Sequence, residues 1–307
     1  MNPEKEAVVV AETQADPIVL PPRRHVGMRT KNRIGNTLIY ILLILMSIVW
    51  LFPFVCIILQ SFRIESTMMT GYIIPKEWGF DNYVNLFTTT NFPRWLLNTL
   101  IISLATAVLQ SVMILCMSYT LSRLRFNGRT FLMRFMLVLG MFPGMLTMII
   151  LYRVLADMNM TQQNSIPGLI LVYVASSGMG YYISKGFFDT IPKSLDEAAR
   201  VDGATRAQVL FKVILPLSKP IVIYTILTAF MGPWGDFVFA AYVAFNNREG
   251  MNVAVGLQSM INTPSGINAN YTMFCAGGVV VAIPITLLFL FLQKYYVEGV
   301  TGGAVKG

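Results

Sequence analysis

Long apolar runs separated by short polar breaks dominate this chain, and run length is the first thing to read. A bilayer core about 30 Å thick needs roughly 20 mostly apolar residues per helix. Six segments meet that test, near 37–62, 96–121, 131–155, 165–187, 218–244 and 272–295. The pattern predicts an all-α, polytopic membrane protein with six transmembrane helices. Two breaks, Arg63 to Trp95 and Asn246 to Asn270, have the length of functional or disordered loops. Trp78 and Tyr83 favour an ordered first loop. No repeat with a period of roughly 20–50 residues is visible. In the second run Ser103, Ala107 and Ser111 form a small-residue stripe that lets helices approach closely.

Composition agrees. Of 307 residues, 12% are charged and 55% hydrophobic, against roughly 25% charged in a soluble domain. The net charge of +8 would suit a nucleic-acid binder, but its distribution points to orientation instead. Arg63, Lys76, Arg94, Arg153 and Arg248 fall on one side of the predicted layout, and the other 18 of the 23 Lys and Arg fall on the opposite side. Both termini are therefore expected in the cytoplasm, with no role for nucleic acid. Residues 1–36 read as a mobile cytoplasmic tail, 37–296 as the membrane domain and 297–307 as a cytoplasmic C-terminal tail. No apolar signal-peptide core precedes the first run.

Catalytic chemistry is not supported. The single histidine, His25, sits in the N-terminal tail, and Cys56, Cys116 and Cys275 lie within apolar runs with no CxxC or Cys/His cluster. Neither a metal site nor a disulfide framework is expected. No GxxxxGK[ST] loop occurs, so any ATP and Mg that power this protein are bound by another polypeptide, and this chain carries no cofactor of its own.

A polar island, DEAARVDGATRAQVLFKVILPLSKP, runs from Asp196 to Pro220. Ser194 and Glu197 are spaced as a capping box, predicting a helix from about Leu195. Asp202-Gly203 ends it, and a second helix runs from about Thr205 until Pro216. The resulting helix-turn-helix spans about 193–216. Val209 and Val213, like Leu210 and Ile214, are four apart and face the bundle. On pattern alone, an ordinary amphipathic interfacial helix and a surface gripped by another protein stand level.

The spacing EAARVDGATRAQVLFKVILP resembles the EAA motif of permease subunits in binding-protein-dependent ABC importers, with Val213 where the broad pattern favours Ile. FFDTIPKSLDEAARVDGA is similar to the carbohydrate-uptake branch, and GVTGGAVKG to the end of the smaller maltose-type permease. The resemblance covers most of residues 37–307 and implies an ABC type I importer permease fold. It implies that Glu197, Ala198, Ala199, Asp202, Gly203, Leu215 and Pro216 couple to a separate ATPase. It also implies that Gly302, Gly303, Lys306 and Gly307 form a second ATPase contact. The segment Trp234-Gly235-Asp236-Phe237 is similar to the branch's Trp-Asn-Asp/Glu-Phe, with Gly235 departing.

A carboxylate at bilayer depth normally faces a cavity or a partner. Asp236 therefore lines the sugar path or its gate, with Trp234 and Phe237 presenting aromatic faces, or else makes an inter-subunit hydrogen bond or sits in the headgroup zone. Gly232 and Pro233 offer a kink nearby. Asn262, Thr263, Pro264, Ser265 and Gly266 occupy the place of the external loop that meets the sugar-binding protein; the alternative is a plain surface connection.

The resemblance implies a multi-pass subunit of the bacterial cytoplasmic membrane, importing oligosaccharides of the maltose or maltodextrin type. Its expected partners are a second permease, two ATPase subunits, an extracellular or periplasmic sugar-binding protein and membrane lipid. Two rivals remain from other classes: an ion-gradient-driven secondary transporter or channel subunit, and a membrane scaffold. The first would call for intramembrane charge relays beyond the single Asp236.

Overall fold

A computed structural model describes residues 28–68, 70–177, 180–245 and 247–301. The described residues are 78% helical. Among the described residues, strand-like pairing is limited to an isolated antiparallel bridge between Arg63 and Trp78.

The chain divides into two units, Met1–Pro53 and Phe54–Gly307. The described part of the first is helical and belongs to α1 (Met28–Ser61). This helix starts nine residues before the predicted 37, because no proline interrupts the sequence between Pro22 and Pro53 and an established helix extends one hydrogen bond at a time. Every large apolar residue from Leu38 to Phe52 is exposed, a surface suited to lipid rather than water. Of the predicted tail at residues 1–36, residues 28–36 belong to α1, and residues 1–27 lie outside the described residues.

The second unit contains α2 (Asp81–Thr88), α3 (Phe92–Arg123), α4 (Arg129–Leu139), α5 (Gly144–Asp157), α6 (Ser165–Ala175), α7 (Gly180–Asp189), α8 (Lys193–Val201), α9 (Arg206–Val209), α10 (Leu215–Leu217), α11 (Lys219–Gly235), α12 (Val238–Ala244), α13 (Val253–Met260) and α14 (Pro264–Thr301). Helix α3 is central and lies against α6, α7, α11 and α13, while α11 also meets α14. Ser103, Ala107 and Ser111 are all buried on α3, as the small-residue stripe requires.

Among the described residues, four segments are long and apolar enough to cross a membrane: 35–61, 92–123, 162–189 and 264–294. The number rises to six if each of two bent pairs is one span. Three predicted spans change shape. The third is not one helix over 131–155: α4 and α5 meet at 101°. Pro143 has no N–H to donate and its ring clashes with the carbonyl four residues back, so the chain closes with the turn bonds Met141 N–H to Val138 O and Phe142 N–H to Leu139 O. The fifth is not continuous over 218–244, since it breaks at Asp236 and Phe237 between α11 and α12. The sixth begins at Pro264, eight residues before the predicted 272.

The first long loop is ordered, as its aromatics predicted. Phe62, Trp78, Phe80 and Tyr83 cluster with ring centroids 5.3–6.4 Å apart. Beneath them Arg63 is 1% exposed and donates to Glu65 O at 2.9 Å, to Thr70 Oγ1 at 2.7 Å and to Thr67 O. From sequence Arg63 is a loop charge; here it is the peg around which Glu65, Thr67 and Thr70 gather.

Candidate functional site

The helix-turn-helix exists, with different caps from those predicted. Helix α8 starts at Lys193 with Pro192 as its N-cap and no side-chain cap bond, so Ser194 sits inside the first turn and the Ser194–Glu197 capping box does not form. Pro192 supplies the entry instead, with φ −57° and ψ 131° breaking the chain into an extended approach. The reciprocal box lies at the second helix: the Gln208 N–H donates to Thr205 Oγ1 at 3.3 Å and the Thr205 N–H to Gln208 Oε1 at 2.7 Å.

Gly203 has φ +86°, and a Cβ there would meet nothing within 4 Å. Backbone conformation alone therefore selects glycine, as expected for the residue that ends a helix. Past α9, residues Leu210–Ile214 form a π-turn. Pro216 does not stop the helix: α10 continues to Leu217, and the bend of 90° into α11 comes at Ser218. The π-turn widens the hydrogen-bond ladder just where Pro216 has no N–H to give.

Val209, Leu210 and Ile214 are buried against Leu115, Tyr119, Phe188, Ile191 and Ile221, while Val213 is half-buried. The end of α3 fixes the unit from behind. The Tyr119 hydroxyl donates to Arg206 O at 3.3 Å, and Arg123 Nη2 donates to Ile191 O at 2.9 Å. Arg123 Nε lies 3.1 Å from Asp196 Oδ2. Burial pushes the Asp196 carboxyl above its ordinary range, with Arg123 opposing and Glu197 adding to the shift; the pair positions α8 more than it favours ionisation.

The outer surface is left to Glu197, Ala198, Arg200, Asp202 and Gly203, with Val201 88% exposed. Of the residues that the sequence reading grouped there, Ala199 and Leu215 are half-buried and turned toward the apolar cluster. Pro216 is exposed beyond the π-turn. Gly302, Gly303, Lys306 and Gly307 lie outside the described residues.

Asp236 sits in the break between α11 and α12. Its Oδ2 accepts from the Tyr173 hydroxyl at 2.5 Å and its Oδ1 from the Phe239 N–H at 3.1 Å, so it caps α12 and ties it to α6. Asn252 Nδ2 donates to the Asp236 carbonyl at 2.7 Å. The hydrogen-bond partners of the Asp236 side chain are within the chain. Trp234 is 5% exposed, against Phe230, so its ring has no open face for a sugar; Phe237 is exposed.

The 262–266 segment is a tight corner between α13 and α14. Thr263 accepts the Gly266 N–H at its Oγ1 and the Ile267 N–H at its carbonyl, with Pro264 as first helical residue. Asn262, Thr263, Pro264 and Ser265 are exposed, and Gly266 is half-buried.

Sequence reasoning missed the clamp at the other end of α3. The Trp95 indole N–H donates to Arg248 O at 2.8 Å, and Asn98 Nδ2 to Glu249 O and Met251 O at 2.6 and 2.9 Å. The Val253 N–H donates to Thr99 Oγ1 at 2.8 Å. An amide and a hydroxyl side by side at the head of an apolar run were the available signal.

Membrane-length helices, among them an α3 that packs against α6, α7, α11 and α13, with a short charged hairpin docked at its end, define a multi-pass membrane transport subunit. Residues 114–302 match the family described as binding-protein-dependent transport system inner membrane component, and the chain belongs to that family. It is 36% identical, over 92% of its length and 99% of the relative, to the maltodextrin transport system permease protein MalD of Streptococcus pneumoniae. It is 34% identical, over 91% and 99%, to the galactooligosaccharides transport system permease protein GanQ of Bacillus subtilis. A crystal structure of a bacterial ABC transporter involved in alginate import matches with a TM-score of 0.73 at 23% identity, over 87% of this chain and 98% of that one; this likeness concerns the fold.

Proposed function

We propose that this chain is one permease subunit of an ATP-driven importer of oligosaccharides, without nucleotide chemistry of its own, and that α8 and the Gly203 turn are gripped by a separate ATPase. The observation that carries it is the exposed row Glu197, Ala198, Asp202 and Gly203 on a helix anchored from behind by Arg123 and Tyr119. A load applied to that row reaches α3 without passing through a flexible linker. The other expected parts are a second permease, two ATPases and an extracellular or periplasmic sugar-binding protein that meets the Asn262–Ser265 corner. The proposed orientation puts both termini and α8 in the cytoplasm of a bacterial cell, each bent pair counting as one crossing.

Related permeases are named for maltodextrin and galactooligosaccharides at 36% and 34% identity. The substrate class we infer is therefore an oligosaccharide, with maltodextrin as first choice. Phe237, exposed at the α11–α12 break, is the aromatic surface we assign to the sugar path.

Co-expression with the neighbouring transporter genes, followed by reconstitution in nanodiscs, tests this. Glu197→Lys and Gly203→Asp are expected to lose the co-purifying ATPase or to uncouple ATP hydrolysis from the binding protein. Normal assembly and sugar-stimulated hydrolysis in both variants would remove α8 from the coupling role.

A further inference from the structure

Apart from Arg123, the cations around α8 have no part in the proposal above. Between the end of α3, α8 and α9 lies a cavity of about 440 Å³ lined by Arg123, Arg125, Lys193, Arg200 and Arg206, with Asp196 and Glu197 as its carboxylates. Its volume is that of a small-molecule site, which spans about 300–1,000 Å³. Five cations against two carboxylates leave three positive charges in excess, a concentration of like charge that attracts a counter-ion.

Arg123 supplies an independent indication. Its side chain is 4% exposed, Nη2 is used by Ile191 O, and Nε faces Asp196 Oδ2 at ion-pair distance without hydrogen-bond alignment. Nη1 has no partner, and neither has Asp196 Oδ1. Buried donors and acceptors are almost always satisfied, so an unpaired guanidinium N–H beside an unpaired carboxylate oxygen marks a place for a ligand that both accepts and donates.

We propose that this cavity binds a phosphate group carried together with a hydroxyl: Arg123, Lys193 and Arg206 take the phosphate oxygens, and Asp196 Oδ1 accepts from the hydroxyl. Guanidinium forks match phosphate oxygens in pairs, which an ammonium cannot do. Two sources carry this chemistry. One is the glycerol-phosphate headgroup of phosphatidylglycerol, since the cavity sits at the end of a membrane-length helix. The other is hydrogen phosphate from solution.

The test uses the full-length chain purified with its co-expressed subunits. In one arm, micelles are doped with phosphatidylglycerol or phosphatidylcholine and retained lipid is counted by native mass spectrometry. In the other, inorganic phosphate is titrated and binding is read by calorimetry. Arg206→Gln and Lys193→Gln, both at the surface, are expected to weaken binding about fivefold each, and Arg123→Gln about tenfold or more.

Because Arg123→Gln can also unfold the chain, the two surface variants decide wherever their melting temperatures match the parent. Retention of phosphatidylglycerol but not phosphatidylcholine assigns the lipid. Saturable phosphate binding assigns the free ion, and either result supports the site. Absence of both from the assembled protein, or binding unchanged in the surface variants, overturns it.

Discussion

Replacing Asp236 with Asn keeps the size of the side chain and an acceptor for the Phe239 N–H but removes the charge that Tyr173 meets. A hydrogen bond to a charged group contributes about 1.5–3 kcal/mol and a neutral one about 0.5–1.5, so Asp236→Asn should cost about 1–1.5 kcal/mol while the cap survives. Asp236→Ala loses the cap, about 0.5–2 kcal/mol, and orphans the Tyr173 hydroxyl, about 1–3 more. Tyr173→Phe removes the same bond from the other side, so its effect and that of Asp236→Asn should overlap. Unfolding of the four proteins of this cycle in detergent, with sugar uptake measured in proteoliposomes, checks the assignment. Additivity within about 0.5 kcal/mol would refute the clamp. So would loss of uptake in Asp236→Asn at unchanged stability, which would return Asp236 to the sugar path.

Gly256→Ala puts a Cβ 2.1 Å from Trp95 Cδ2, whereas nothing lies within 4 Å of a Cβ at Gly278. The first should destabilise by about 1–3 kcal/mol and the second should be neutral or stabilising by up to about 1, compared by melting temperature. Gly203→Ala should cost about 1–2 kcal/mol of backbone strain, and Gly203→Asn less, by the same measurement. For Asp196 the folded protein holds its proton more tightly than the unfolded chain, whose carboxyl has its ordinary value of 3.8. Stability is then greatest below that value and falls as pH rises toward the folded pKa; Asp196→Asn should abolish that part of the acid-range slope.

Apolar run length sufficed for α1, α3 and α14, since a long uninterrupted stretch has few other solutions in lipid. Averaging over the run also hid the α4–α5 elbow, although Gly140, Pro143 and Gly144 stood within it as breakers. At the helix-turn-helix, Gly203 was legible because a positive φ restricts residue choice. The caps were misassigned because Ser194–Glu197 and Thr205–Gln208 share one pattern, and Pro192 set the true start. Asp236 announced itself by cost, but Tyr173 lies 63 residues away and the Trp95 contact spans 153. No local pattern carries such pairings.

Helix α3 has a fitting at each end. At one, Tyr119 and Arg123 hold α8 and α9; at the other, Trp95, Asn98 and Thr99 hold residues 248–253. Its 32 residues span about 48 Å at 1.5 Å each. A helix so fixed behaves as a drive shaft: turned about its long axis at the α8 end, it turns the opposite loop with it, with no need for its own backbone to change.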